Sequence, residues 1–210
     1  REQMGYPTPP VDVAYSFLRS FFGVMGSLIL FVLPILSMGL YTEERKLGTL
    51  ELLATSPITN WAVALGKLLG VLTFFITTIA PIVIYEAIAF SAAKPPVPPA
   101  VPILAHLALI LLAAAILSLG MFVSSLTDST ILAAILTFAL ILFLWILDSI
   151  ASSIGGPVGE ALAHLSLLKN YDNLVQGVLD TSSLVLFVSY IILGLFLTAQ
   201  SIEALRFARQ

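Results

Sequence analysis

The stretch Thr42-Glu43-Glu44-Arg45-Lys46-Leu47-Gly48-Thr49-Leu50-Glu51-Leu52-Leu53-Ala54-Thr55-Ser56-Pro57-Ile58-Thr59-Asn60-Trp61 concentrates charge between two apolar segments, each long enough to cross a bilayer. As a helix over 42–55 it takes Thr42 as N-cap and places Glu43 and Glu44 in the first turn, where the positive end of the helix dipole favours them. Ser56-Pro57 is the predicted stop. Leu47, Leu50, Leu53 and Ala54 then share a face, while Glu44, Arg45 and Glu51 fall elsewhere. Such a helix is expected to lie along the membrane surface, leucines toward lipid or neighbouring helices and charges toward water. Trp61 would anchor the next span at headgroup level.

Composition agrees with the flanks. Of 210 residues, 59% are hydrophobic and only 10% charged, too little polar surface to cover a water-soluble globule. The chain has no cysteine, which removes disulfides, thiolate metal sites and cysteine nucleophiles together. A formal charge of −3, without clustered Lys and Arg, argues against nucleic acid as a partner. Five stretches meet the length needed to span, approximately 17–41, 62–90, 103–126, 131–150 and 184–199. None alternates with period two and an open sheet cannot cross lipid, so the predicted fold is an all-α polytopic bundle in a single transmembrane domain. Pro34 and Pro81 fall inside spans and should kink them.

Positive charge in short connections sets the expected orientation. Arg45, Lys46, Lys67, Arg206 and Arg209 go to the cytoplasmic side, while the loop Lys94-Pro95-Pro96-Val97-Pro98-Pro99 and the stretch 151–182 face outward. That arrangement puts the C-terminus inside and residue 1 outside. With five spans and an opening Arg1, it leads to the expectation of a sixth span upstream in the native protein.

Catalytic readings fail on inventory. No Gly-x-x-x-x-Gly-Lys-Ser/Thr occurs, and Gly66-Lys67 lacks both the upstream glycine and the following hydroxyl. Only His106 and His164 could serve as imidazole ligands, without a His-Glu-x-x-His, so neither a metal site nor an enzyme is expected. Tyr171-Asp172 lies in a polar loop, without the Gly-x-Gly-Asp that an intramembrane aspartyl site needs. Ionisable residues within spans usually mark function, and Glu86, His106 and Asp148 all reach the outer leaflet. They are candidates for one outer polar cluster, a gate or substrate exit; the favoured alternative is that each simply sits wet at headgroup level. Lys67 should snorkel to the inner interface, and Gly66-x-x-x-Gly70 is a candidate close-packing face. The stretch 151–182 is too long for a connector. After Gly155-Gly156-Pro157, 158–168 and 171–179 read as two short outer helices that dip into the interface, capping a pathway or only shielding the span ends.

Several of these residues carry a resemblance. A span ending in Ser37-Met38-Gly39-Leu40, then Glu43-Glu44-Arg45-Lys46-x-Gly48-Thr49-x-Glu51-Leu52-Leu53, then Ser56-Pro57-Ile58-Thr59-Asn60-Trp61 and Leu65-Gly66-Lys67, resembles the permease subunits of type 2 ABC exporters. The nearest pattern is the gliding-motility permease group. The stretch Leu168-Lys169-Asn170-Tyr171-Asp172-Asn173-Leu174-Val175-Gln176-Gly177-Val178-Leu179-Asp180 is similar to the short outward helices before that family's last span. The resemblance implies six spans per subunit, a pair of permeases in the bacterial inner membrane, and two separate ATPase subunits on the cytoplasmic side. ATP and Mg would then be held by the partner ATPase, with no cofactor on this chain.

A separate ATPase can drive a membrane subunit only through contacts that differ between conformations. Of the inward segments only 42–55 is long and charged enough to make them; the loop Thr127-Asp128-Ser129 is too short for a docking helix. Glu43, Glu44, Arg45, Lys46, Gly48, Thr49 and Glu51 are therefore the candidate ATPase-docking residues, Gly48 for close approach of a partner backbone. Two functions fit: an ATP-driven export permease, or a non-transporting anchor that transmits ATPase motion to an extracytoplasmic partner. The scarcity of polar residues in the spans suggests an apolar or amphipathic substrate for the first.

Overall fold

The computed structural model describes residues 13–50, 57–92 and 98–207, and every regular element among them is a helix. In chain order these are α1 (Val13–Leu47), α2 (Asn60–Ser91), α3 (Ala100–Leu126), α4 (Thr130–Ile154), α5 (Gly156–His164), α6 (Leu167–Val175) and α7 (Thr181–Phe207). Windows within α1, α2, α3, α4 and α7 are long and apolar enough to cross a membrane, so the chain is a multi-pass integral membrane protein. Their number is the five that hydropathy gives.

One boundary differs in kind. Thr42 is not the N-cap of a separate helix; α1 runs without a break through it to Leu47. The Thr42 hydroxyl donates to the Met38 carbonyl at 2.6 Å, one turn back, as a helix-interior threonine does. Charge alone does not end a helix, and Glu43 to Lys46 carry no breaker. The break comes at Gly48, at φ +71°, where Gly48 N–H donates to the Arg45 carbonyl and Thr49 N–H to that of Glu44. Together these make a Schellman motif, which requires the left-handed backbone that glycine adopts without penalty. Leu50 is already buried again, whereas Leu47 is exposed, so the expected common leucine face is not formed by these two. Leu52, Leu53 and the Ser56-Pro57 stop span the edge of residues 51–56, which lie outside the described residues.

Helix α3 is the centre of the bundle. It is apolar on all sides, and the run from Leu112 to Met121 is buried throughout, packed by α7 and α1 and also by α2, α4 and α6. Lipid is as apolar as leucine, so association inside a bilayer rests on dispersion and close approach at small residues. Such close approaches lie at Gly120, where an added Cβ would sit 2.7 Å from Ser37 Cβ, and at Gly194, where it would meet the Ser118 carbonyl carbon at 2.6 Å. Among the described residues no atom lies near enough to meet a Cβ at Gly66 or Gly70, so the Gly-x-x-x-Gly face packs on none of the described helices. Two interior hydroxyls close their hydrogen bonds on backbone carbonyls, Ser118 on Ala115 (2.8 Å) and Thr198 on Gly194 (2.7 Å), whereas Thr137 Oγ1 and Tyr41 Oη have no partner among the described residues.

The two short helices are shifted from the expected 158–168 and 171–179. The break falls at Leu165-Ser166, where Ser166 Oγ accepts from Lys169 N–H as the N-cap of α6. Gly177, at φ +80°, ends α6 with the same pair of C-terminal bonds as Gly48 ends α1. Helix α6 turns Leu167, Tyr171, Leu174 and Val175 into the bundle, and Tyr171 Oη donates to the Phe22 carbonyl of α1 at 2.7 Å. Burial, more than the neighbouring Asp172 carboxylate, pushes the Tyr171 phenol well above its ordinary range.

Candidate functional site

The candidate docking residues lie at one end of the bundle, where α1 and α3 finish and α2 begins. Here the structure divides a set that the sequence treats as equivalent. Glu43 and Lys46 are exposed, as are Leu47 and Gly48. Glu44 and Arg45 point back into the fold. Lys67 of α2 donates to Glu44 Oε1 at 2.6 Å and to the Leu40 carbonyl at 2.6 Å, with its ammonium 4.7 Å from the centre of the Tyr41 ring. Lys67 thus holds α1 rather than merely reaching toward water. Arg45 Nη1 donates to the Ser125 carbonyl at 2.7 Å, satisfying one of the open carbonyls at the end of α3.

Beside these clasps a serine of α3 enters the α1 backbone. Ser124 Oγ accepts from the N–H groups of Tyr41 (2.9 Å) and Thr42 (3.1 Å) and donates to the Met38 carbonyl at 2.9 Å. Ser125 Oγ in turn bonds Ser201 Oγ of α7 at 2.9 Å. The last turns of α1 are therefore joined by polar bonds to α2 and α3, and through α3 to α7. Thr49 Oγ1 donates to the Glu44 carbonyl at 3.3 Å; a Cβ added at Gly48 would meet no atom of the described residues, and its φ accounts for a glycine there without a partner's approach. Glu51 lies outside the described residues.

At the opposite end, the expected trio of Glu86, His106 and Asp148 separates. Glu86 and His106 pair across α2 and α3, Oε2 to Nε2 at 3.2 Å, and Glu86 is buried rather than wet. His106 Nδ1 lies 2.8 Å from the Pro102 carbonyl and its ring packs edge-on against Phe22 at 4.9 Å. Asp148 instead lines a cavity of about 370 Å³ with Glu160, His164 and Lys169. It faces Asp172 of α6, whose carboxyl is pushed upward by burial and by Asp148, with the Arg19 guanidinium opposing. Hydropathy places all three near one end; helix rotation decides which pair meets. Among the described residues no group of three or more His, Asp and Glu is arranged to hold a metal.

Fold and site together define a polytopic helical membrane subunit whose charged helix end is clasped to its neighbours. Residues 7–168 match the family described as ABC-2 family transporter protein, more than half of the chain, and the chain belongs to that family. No curated protein and no solved structure matches it. Membership makes the chain a membrane-spanning permease subunit of an ABC transporter, a class that is normally not catalytic itself. The family also implies an ABC ATPase as partner and usually a dimer of permeases.

Proposed function

We propose that this permease drives export by receiving the movement of a separate ATPase subunit, which holds ATP and Mg, at the C-terminal end of α1. The carrying observation is the division within Glu43-Glu44-Arg45-Lys46. Two charges face outward, available to a polar partner surface, while the two between them are bonded to Lys67 and Ser125. A contact on Glu43 and Lys46 therefore pushes on a helix end that cannot yield without moving α2 and α3. Differential binding to that end is what coupling requires.

In this reading the end bearing Arg45 is cytoplasmic in the bacterial inner membrane, the C-terminus of α7 lies on the same side, and the subunit works as a pair. The gliding-motility permease group remains the proposed subgroup, on the motif from Glu43 to Glu51. Since α3 fills the centre of the bundle, a substrate path belongs between two permeases rather than through one. The alternative, transmission of force to an extracytoplasmic partner, draws support from α6 closing the opposite end with its apolar face turned inward.

The test is the double charge reversal Glu43→Lys with Lys46→Glu, with ATPase co-purification and thermal stability measured on the same preparation. The expected result is unchanged stability and at least a tenfold loss of ATPase binding, since interface charges left unmatched cost about 2–5 kcal/mol. Full retention of the ATPase would remove this end of α1 as the coupling element.

A further inference from the structure

Between α2 and α3, at the end opposite Arg45, runs a groove of about 590 Å³ walled by Val83, Ala87, Phe90, Ile103, Leu107 and Ile110. The volume falls in the range of small-molecule sites, about 300–1,000 Å³. Val83, Ile103 and Leu107 are exposed, as are Ile84 and Ile88 beside it, so in a bilayer the groove opens toward acyl chains. The apolar wall is interrupted by Glu86 and His106, set about one and a half turns in from the ends of α2 and α3, near the boundary of headgroups and hydrocarbon.

Glu86 is 7% exposed, and among the described residues neither of its carboxyl oxygens has a hydrogen-bond partner, Oε2 standing 3.2 Å from His106 Nε2 and Oε1 free of any such contact. A buried carboxyl oxygen without a donor is costly, and the packing of α2 on α3 does not require one. His106 Nδ1 lies 2.8 Å from the Pro102 carbonyl, so the ring is already engaged on its other side. Glu86 Oε1 can accept from a donor that enters the groove. A charged head would pay the desolvation cost of an ion on entering this buried recess; an uncharged donor would not.

We propose that this groove binds an uncharged amphiphile, a hydrocarbon chain lying along Val83, Ile103 and Leu107 with a hydroxyl head donating to Glu86 Oε1. The site is independent of the ATPase contact and is read by binding alone. The experiment uses the purified permease in lipid nanodiscs with a fluorescently tail-labelled dodecanol as probe, displaced by dodecanol, by its methyl ether, which has the same chain without a donor, or by dodecylammonium. Dodecanol is expected to compete about tenfold better than the ether, the worth of one hydrogen bond made in a buried site, and better than the ammonium. Glu86→Leu, which removes the acceptor at similar volume, should bring alcohol and ether to equal affinity. Ile103→Trp, a change on the exposed wall that leaves Glu86 and the core untouched, should abolish probe binding with stability retained. Equal competition by alcohol and ether in the wild type, stronger competition by the ammonium, or undiminished probe binding to Ile103→Trp would each overturn the proposal.

Discussion

Replacing Lys67 by Met should destabilise the subunit itself, because the lysine is a clasp between helices before it is a surface charge. Its ammonium makes two charge-assisted bonds, to Glu44 Oε1 and to the Leu40 carbonyl, and Met keeps most of the stem volume while deleting both. Lys67 and Glu44 are only 23% and 29% exposed, and Glu44 Oε2 is buried without a hydrogen-bond partner among the described residues, so the carboxylate cannot simply turn to water. A fully exposed pair is worth about 0.2–1 kcal/mol, and a hydrogen bond to a charged group about 1.5–3 kcal/mol. With exposure between those limits, Lys67→Met is expected to cost about 2 kcal/mol, a fall in Tm of about 4–8 °C for a chain of this size. Adding Glu44→Gln should recover about half of that, since the amide removes the uncompensated charge; with Glu44→Gln alone costing about 1 kcal/mol, the double-mutant cycle gives a coupling energy of about 2 kcal/mol. The assay is thermal unfolding of the purified subunit in detergent at fixed ionic strength, for wild type, both single variants and the double variant. A single variant within about 0.5 kcal/mol of wild type, or strictly additive losses, would refute a structural clasp. In that case Lys67 and Glu44 would revert to free interfacial charges.

Three further outcomes follow from particular contacts. Gly120→Ala and Gly194→Ala each drive a methyl into a neighbouring helix, and Gly194 the more severely because the obstacle is the Ser118 backbone; chemical unfolding should show losses of about 1–3 kcal/mol, and a neutral Gly194→Ala would contradict the α3–α7 approach. Gly48→Ala places a β-carbon on a left-handed residue and should cost about 1 kcal/mol in the same measurement, although that carbon meets no atom of the described residues; an unchanged midpoint would contradict the Schellman ending. Asp172 has its folded pKa raised above the ordinary 3.8, so its contribution is fully favourable below that value and is lost as pH rises through the raised one. Stability scanned upward from about pH 4 should therefore fall more steeply in wild type than in Asp172→Asn, and parallel curves would argue against the burial of that carboxyl.

The spans were legible from composition because lipid imposes a one-dimensional condition: about 20 consecutive apolar residues, all backbone groups satisfied within the helix. The family, too, was legible in the motif around Glu43 to Trp61, and residues 7–168 show it. Local turn chemistry was only partly so. Gly48 and Gly177 each end a helix by a rule readable in sequence, yet the charges at Glu43 and Glu44 read equally well as a helix beginning at Thr42, and only the continuity of α1 excludes that beginning.

What the tertiary structure decided is which residues meet, since that depends on how each helix is rotated about its axis and how deep it sits beside its neighbours. Lys67 reaches Glu44 across 23 positions and Arg45 reaches Ser125 across 80, and no period within one helix specifies either meeting. The same rotation joins Glu86 to His106 and sends Asp148 to Asp172, separating three residues that hydropathy places at one end. Length and apolarity determine that a segment crosses the membrane; the packing of its neighbours, fitted at Gly120, Gly194 and Tyr171, determines which of its few polar groups are clasps and which stay exposed.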